Sequence, residues 1–372
     1  MDINDRISQY RQDIKSDRVD MSFGEIINMY KDEEIIISPE YQRAFRWDKQ
    51  RQTDFIESIL LGIPFPSIFV ATNSDGTWEL IDGLQRVSTV LSFFGELKDE
   101  SKNHLVLKPG SIVPELESLT IETLPLDLKL TIKRTPCRVE IIQKDSHFEM
   151  RYELFKRLNT GGEGLTRQEI RNCIFRGFAN YKYFSATINK CSNNPIYRAL
   201  VNISDDAREK MMYEELFLRF FSLYNFRAEF TEKVIEDFFD KIMKKQCETP
   251  DVEKIEKTTQ VFEEICTYLQ PAGCDIFKLS RLNLSTSMFD SIFLSLATTS
   301  KNYRAIATDT FVSRVAELRE NADFKKYAGA ASSNPSAINN KLIIARKILL
   351  DDQNDRARIT MSVGSRARMA NY

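Results

Sequence analysis

Histidine is almost missing from this chain of 372 residues, which has only His104 and His147. Two imidazoles cannot build a His-x-x-x-His site or a His-Asn-His-like nuclease cluster, and no Cys-x-x-Cys pair offers a substitute. The six cysteines (Cys137, Cys173, Cys191, Cys247, Cys266 and Cys274) are spread through a chain too long to need covalent staples, so they read as reduced thiols of a cytoplasmic protein. A G-x-x-x-x-G-K-[ST] phosphate loop is also lacking, so any nucleotide chemistry must run through another structure. Apolar runs of membrane-spanning length are absent, and the Asp-rich, Arg-containing start is unlike a signal peptide, so no membrane partner is expected. Charge of one sign is missing as well. A formal net charge of −2 supplies no global field toward nucleic acid, so DNA could be met only through local basic patches.

What remains is an ordinary globular composition, 42% hydrophobic and 28% charged, in a chain long enough for two domains. Its most telling segment is Leu80-Ile81-Asp82-Gly83-Leu84-Gln85-Arg86. Trp78 to Ile81 reads as a strand, and Val87, Val90, Leu91 and Phe94 mark one face of a helix that Gly95 ends. Gly83 thus falls at a strand-to-helix turn, where the lack of a Cβ allows unusual dihedrals and close approach of a ligand. The first amides of the helix have no internal acceptor, its dipole favours an anion, and Arg86 adds a fork suited to phosphate oxygens. A purely structural reading stands beside this one: Asp-Gly is an ordinary turn, and Asp82 could be a helix N-cap. Asp75-Gly76, between the strand-like runs 67–73 and 77–81, reads as a plain hairpin turn.

Two further segments accompany the turn. Upstream lies Pro39-Glu40-Tyr41-Gln42-Arg43-Ala44-Phe45-Arg46-Trp47; downstream come Arg157-Leu158-Asn159-Thr160-Gly161-Gly162 and Gln168-Glu169-Ile170-Arg171-Asn172. In this order, over roughly residues 20 to 175, the chain resembles the N-terminal domain of GmrSD-type restriction enzymes, within the ParB/sulfiredoxin-like superfamily. That family pattern is a Gln-Arg after a strand, an Asp-Gly-Gln-Gln-Arg turn, and an Arg-Leu-Asn-Thr-Gly-Gly loop before a Gln-Glu-x-Arg-Asn helix. Leu84 replaces the first Gln of the turn, which removes one polar contact and suits a core-facing position. Sulfiredoxin's reactive cysteine has no counterpart, since no Cys precedes Cys137. Nor can this chain supply the histidine-centred nuclease half typical of such enzymes.

The resemblance implies a nucleotide-binding and NTP-hydrolysing component of a bacterial defence system against phage or foreign DNA, acting as sensor or regulator of a separate effector protein. In that reading the triphosphate lies against the helix after Gly83. Arg86 and Arg43 neutralise its oxygens, and Gln42 and Gln85 position the chain or an attacking water. Asp82 holds Mg²⁺ or orients an arginine, and Asn159, Thr160, Gly161 and Gly162 close over the ligand. Two alternatives stay open: a ParB-like metal-dependent DNA nuclease, which needs a second acid near Asp82, and a nucleotide-sensing interaction module without turnover.

The expected architecture is α+β: a ParB/sulfiredoxin-like domain with a small mixed sheet over 1–175, then an all-helical domain over 176–372. Ser22 with Glu25, Asp48, and Thr166 with Glu169 are expected N-terminal helix caps, and 137–142 reads as a strand. Residues 101–131 read as irregular, and a helix is expected from Asp145 or Ser146 to Leu158. Later helices are expected over 205–224, 232–246, 252–269, 285–298, 302–320 and 337–350. Leu216, Phe217, Phe220, Phe221 and Tyr224 form an aromatic stripe that reads as core, echoed by Phe238 and Phe239. The arginine-rich C-terminal segment reads as a solvated tail.

Overall fold

A computed structural model describes residues 2–5, 7, 15–37, 45–73, 75–143, 153–154, 157–158, 165–279, 284–329 and 332–352. The chain divides into two compact units, 1–174 and 175–372.

The first unit is α+β. Its elements run β1 (Ser16–Ser22), α1 (Phe23–Lys31), β2 (Ile35–Ile36), α2 (Lys49–Leu60), β3 (Ile68–Thr72), β4 (Trp78–Asp82), α3 (Leu84–Phe94), α4 (Leu126–Arg134) and β5 (Pro136–Ile142); α5 (Arg167–Phe175) crosses the division. Five strands form one mixed sheet in the order β1-β5-β3-β4-β2. β3 and β4 pair antiparallel through the Asp75-Gly76 hairpin, where Asp75 accepts the Thr77 amide at 3.0 Å and Gly76 has φ +91°. β5 lies parallel to β3, and β1 pairs antiparallel with β5, Ser16 opposite Ile142.

Local chemistry sets the helix starts. Ser22 accepts the Glu25 amide at 3.2 Å, and Asp48 accepts the Arg51 amide at 2.8 Å. Apolar residues of α1–α4 (Phe23, Ile26, Ile56, Val87, Leu91, Ile132) meet Ile68, Val70, Leu80 and Val139 of the strands in one core. α2 also holds the loop that follows α3. The buried Glu57 carboxylate accepts the amides of Ile112 and Val113 at 2.9 and 2.7 Å, and Gly110 passes so close that a Cβ there would lie 2.2 Å from Glu57 Oε1.

In the first unit the sequence reading differs from the fold in three places. β1 was not expected: five of its seven side chains are exposed, so it lacks the alternation of a half-buried strand. Pairing with β5 makes it, helped by Arg138–Asp20 and Arg18–Glu140 ion pairs at 2.9 and 2.8 Å. The irregular stretch 101–131 contains two short 3₁₀ turns and the start of α4, a helix with Ile132 as its only buried residue, so its pattern is faint. The N-cap of α3 is Gly83 rather than Asp82, which is the last residue of β4. The helix expected from Asp145 or Ser146 to Leu158 and the arginine-rich tail lie mainly or wholly outside the described residues.

The second unit is helical throughout its described residues: α6 (Tyr181–Ser192), α7 (Pro195–Leu200), α8 (Asp205–Glu209), α9 (Met212–Phe226), α10 (Ile235–Glu248), α11 (Val252–Leu269), α12 (Thr286–Thr298), α13 (Thr308–Glu320), α14 (Ala322–Ala328) and α15 (Pro335–Leu350), with short 3₁₀ turns between. The expected helix over 205–224 is two helices, because Met211 adopts φ +60° and interrupts it. The aromatic stripe of α9 is core: Phe217 and Phe220 pack on Phe262, which stacks on Phe293 at 5.3 Å. Within this apolar interior Arg219 grips Asp290 through two bonds of 2.6 and 2.7 Å. Beside them lies the buried amine of Lys341, which donates to Ser287 Oγ and the Ser332 carbonyl. At the C-terminal ends of α12 and α15, Arg346 donates to the Thr298 carbonyl and Arg314 to the Leu349 carbonyl, meeting the negative ends of those helices. Among the described residues no helix is long and apolar enough to cross a membrane.

Candidate phosphate-binding junction

The junction between β4 and α3 takes its shape from Gly83. This residue has φ +94° and ψ 13°, and a Cβ on it would lie 2.5 Å from Cγ2 of Ile68 in the neighbouring strand. Both the dihedral and the close packing therefore call for glycine. α3 starts directly after it, and the N-cap glycine has no side chain to bond the first amides. α1, α2 and α5 differ, since Ser22, Asp48 and Thr166 close their N-termini. At α3 no N-cap side chain meets the positive end of the helix.

Arg86 lies in the first turn of α3. Its Nη2 donates to Asp82 Oδ2 at 2.9 Å and its Nη1 to the Pro66 carbonyl at 2.6 Å. Of the two roles expected for Asp82, the geometry favours orienting an arginine. Its side chain is 30% exposed and that of Arg86 12%, so the pair sits at the edge of solvent. Cys137 lies in β5 of the same sheet. Burial pushes its thiol up to about 11, against the opposing pull of the Arg86 charge, so at neutral pH it is an inert core thiol.

Gln85, expected to position the chain or an attacking water, is bonded to the chain. Its Oε1 accepts the backbone amides of both Arg46 and Trp47, each at 3.1 Å. This holds the segment leading into α2 against the start of α3. Arg46 then turns its guanidinium to Glu169, with Nη2 2.7 Å from Oε1, in a pair only 15% and 1% exposed. The other oxygen of Glu169 accepts the Thr166 amide at 2.7 Å, while Thr166 Oγ1 accepts the Glu169 amide at 3.3 Å. This is the expected capping box, with the carboxylate serving a second partner. Below it, Arg171 donates to Gln168 Oε1 and Gln168 to Asn172, all buried.

Asp82, Gly83, Gln85 and Arg86 therefore come together with the ends of the upstream and downstream motifs. Gln42, Arg43, Asn159, Thr160, Gly161 and Gly162 lie outside the described residues. The sequence reading assigned Arg46 and Glu169 no site role. Their pairing spans 123 positions, and the only local hint was an arginine between Phe45 and Trp47.

Among the described residues no group of three or more His, Cys, Asp or Glu side chains could hold an ion, and Asp82 already faces a guanidinium.

The fold and junction define an α+β domain in which a helix without a side-chain N-cap follows a strand-to-helix turn, with a guanidinium beside it. Residues 23–176, somewhat less than half of the chain, match the sequence model of the GmrSD restriction endonuclease, N-terminal domain. No curated protein and no solved structure matches the chain.

Proposed function

We propose that the first unit binds a nucleoside triphosphate through its phosphates at the N-terminus of α3, and that the chain thereby acts as sensor or regulator of an effector protein in a defence system against foreign DNA. The observation that carries this reading is the start of α3, which Gly83 leaves without a side-chain cap beside Arg86 and which hydrogen bonds tie to both other motifs. Backbone amides and a helix dipole suit phosphate oxygens, and phosphoryl transfer needs chiefly positioning and charge neutralisation. In this reading Arg43 and Gln42 complete the site from the upstream motif and Asn159 to Gly162 from the downstream one. Mg²⁺ arrives with the nucleotide, held by its phosphates and water, with Asp82 as the nearest protein carboxylate.

A second reading, nucleotide sensing without turnover, is favoured by one observation. The side-chain oxygen of Gln85 and both η nitrogens of Arg86 are bonded within the protein. For the nuclease alternative, no group of three or more His, Cys, Asp or Glu side chains that could hold a metal occurs among the described residues.

The test is to incubate the full chain and Arg86→Ala with Mg-ATP or Mg-GTP and plasmid DNA, with tryptophan fluorescence checking the fold. The expected result is nucleotide binding by wild type that weakens at least tenfold in Arg86→Ala. Phosphate release identifies an NTPase, binding alone a sensor, and nicking a nuclease. Equal binding by the two proteins, or none by wild type, refutes the site.

A further inference from the structure

β1 is the outermost strand of the sheet, and among the described residues no strand pairs with its outer side. Which backbone groups face outward follows from its register with β5. The Lys15 carbonyl accepts the Gln143 amide at 2.9 Å, and the Phe23 amide donates to the Thr135 carbonyl at 3.2 Å. Odd-numbered positions therefore turn their polar backbone groups to β5, and Ser16, Arg18 and Asp20 turn theirs away. Such an edge is a template for another strand. Charged side chains on an edge commonly keep other strands off, and β1 carries three, Asp17, Arg18 and Asp20. An edge that only repels needs charges of one sign, whereas Arg18 and Asp20 are opposite to each other and to their neighbours in β5. On one face of the sheet Arg18 lies across from Glu140 and Asp20 across from Arg138, each joined by an ion pair. Both side chains remain largely exposed, at 73% and 54%, so each has room for a second partner.

Two-fold symmetry turns this charge pattern into a choice of register. When two copies of β1 meet antiparallel, outward-facing positions pair with outward-facing positions, so a register that uses the middle of the strand has its axis at Arg18, Val19 or Asp20. An axis at Arg18 sets that arginine against itself in the second copy, and an axis at Asp20 does the same with two carboxylates. An axis at Val19 sets Arg18 against Asp20 of the second copy, twice by symmetry. The row formed by Glu140 and Arg18 then continues into Asp20 and Arg138 of the second copy, with signs alternating across four strands. On the opposite face this axis brings together the two copies of Val19, a side chain 37% exposed beside the fully buried Val139. We propose that β1 is a docking edge for a second copy of this chain, through an antiparallel β1–β1 pair centred on Val19 that joins two five-stranded sheets into one. This pairing is independent of the phosphate site.

The experiment is sedimentation velocity on the full chain over a concentration series, with tryptophan fluorescence in urea checking the fold of each variant. Wild type is expected to pass from monomer to dimer as concentration rises. Arg18→Asp and Asp20→Arg each set like charges against one another across the pair, and each alone should weaken dimerisation at least tenfold. Mixed together, they oppose two arginines with two aspartates, so the mixture should regain the dimer as a heterodimer. Either reversal also meets a like charge in β5, so Val19→Lys provides a separate route. It leaves both ion pairs with β5 in place, brings two like charges together at the axis, and should also weaken the dimer at least tenfold. A wild type that stays monomeric throughout the series overturns the proposal. So does a dimer that Val19→Lys leaves unchanged, or a mixture of folded reversal variants that stays monomeric. Should the reversals fail to fold, wild type and Val19→Lys decide by the same comparison.

Discussion

Gly83→Ala offers a direct measure of how the candidate junction is built, because Gly76 supplies a matched control. The two glycines have nearly equal backbone angles, φ +94° and +91°. They differ in surroundings: a Cβ at 76 meets nothing within 4 Å, whereas one at 83 meets Ile68 Cγ2 at 2.5 Å and Cβ at 3.0 Å. Placing an L-residue in the left-handed region costs roughly 1–2 kcal/mol. Forcing a methyl into a packed site adds roughly 1–3 kcal/mol. Gly76→Ala should therefore cost about 1–2 kcal/mol and Gly83→Ala about 2–5 kcal/mol. Both tryptophans of the chain, Trp47 and Trp78, lie in the first unit, so their fluorescence in a urea titration follows that unit alone. A double-mutant cycle with Ile68→Ala isolates the steric part, with an expected coupling of about 1–3 kcal/mol. If Gly83→Ala costs no more than Gly76→Ala, or if Ile68→Ala gives no relief, the close approach of β3 to the junction is refuted.

The other expectations concern buried polar groups. Burial holds the Lys341 amine down at about 8 against 10.5 in an open chain, so below pH 8 the native state bears the full cost of a buried charge and loses that cost as pH rises toward 10.5. The second unit should thus gain about 2 kcal/mol between pH 7 and 9.5 by far-ultraviolet circular dichroism, and Lys341→Met should abolish the gain; an unchanged slope would show that the amine is not responsible. Glu57→Ala leaves the Ile112 and Val113 amides without their acceptor, so a loss of about 2–4 kcal/mol is expected, with faster hydrogen exchange at those two amides. Unaltered exchange there would mean that another acceptor takes over.

Legibility followed the range of the interaction. The caps at Ser22, Asp48 and Thr166, the Asp75-Gly76 hairpin and the strand near Cys137 were readable, because each is specified by residues within a few positions of one another. The strand–glycine–helix junction was readable for the same reason. β1 was not, since its side chains face water and only a partner more than a hundred residues away makes it a strand. Gln85 and Arg46 show the same limit at the site. The sequence marks a glutamine and an arginine among ligand-binding motifs, but a hydrogen bond to a distant backbone amide leaves no trace in local pattern. Leu84 was easier: an apolar residue at the start of a helix has little choice but the core, and it is buried there.

The pairing of the sheet's first strand with its last governs the order in which the chain can assemble during synthesis. The β3–β4 hairpin and its neighbour β2 need only nearby partners, so this half can form as soon as it leaves the ribosome. β1 must wait until Ile142 has been made, a delay on the order of ten seconds at typical elongation rates. Throughout that interval the hydrogen-bonding edge of β3 that will receive β5 stays uncovered, which makes the nascent first unit a natural client for chaperones.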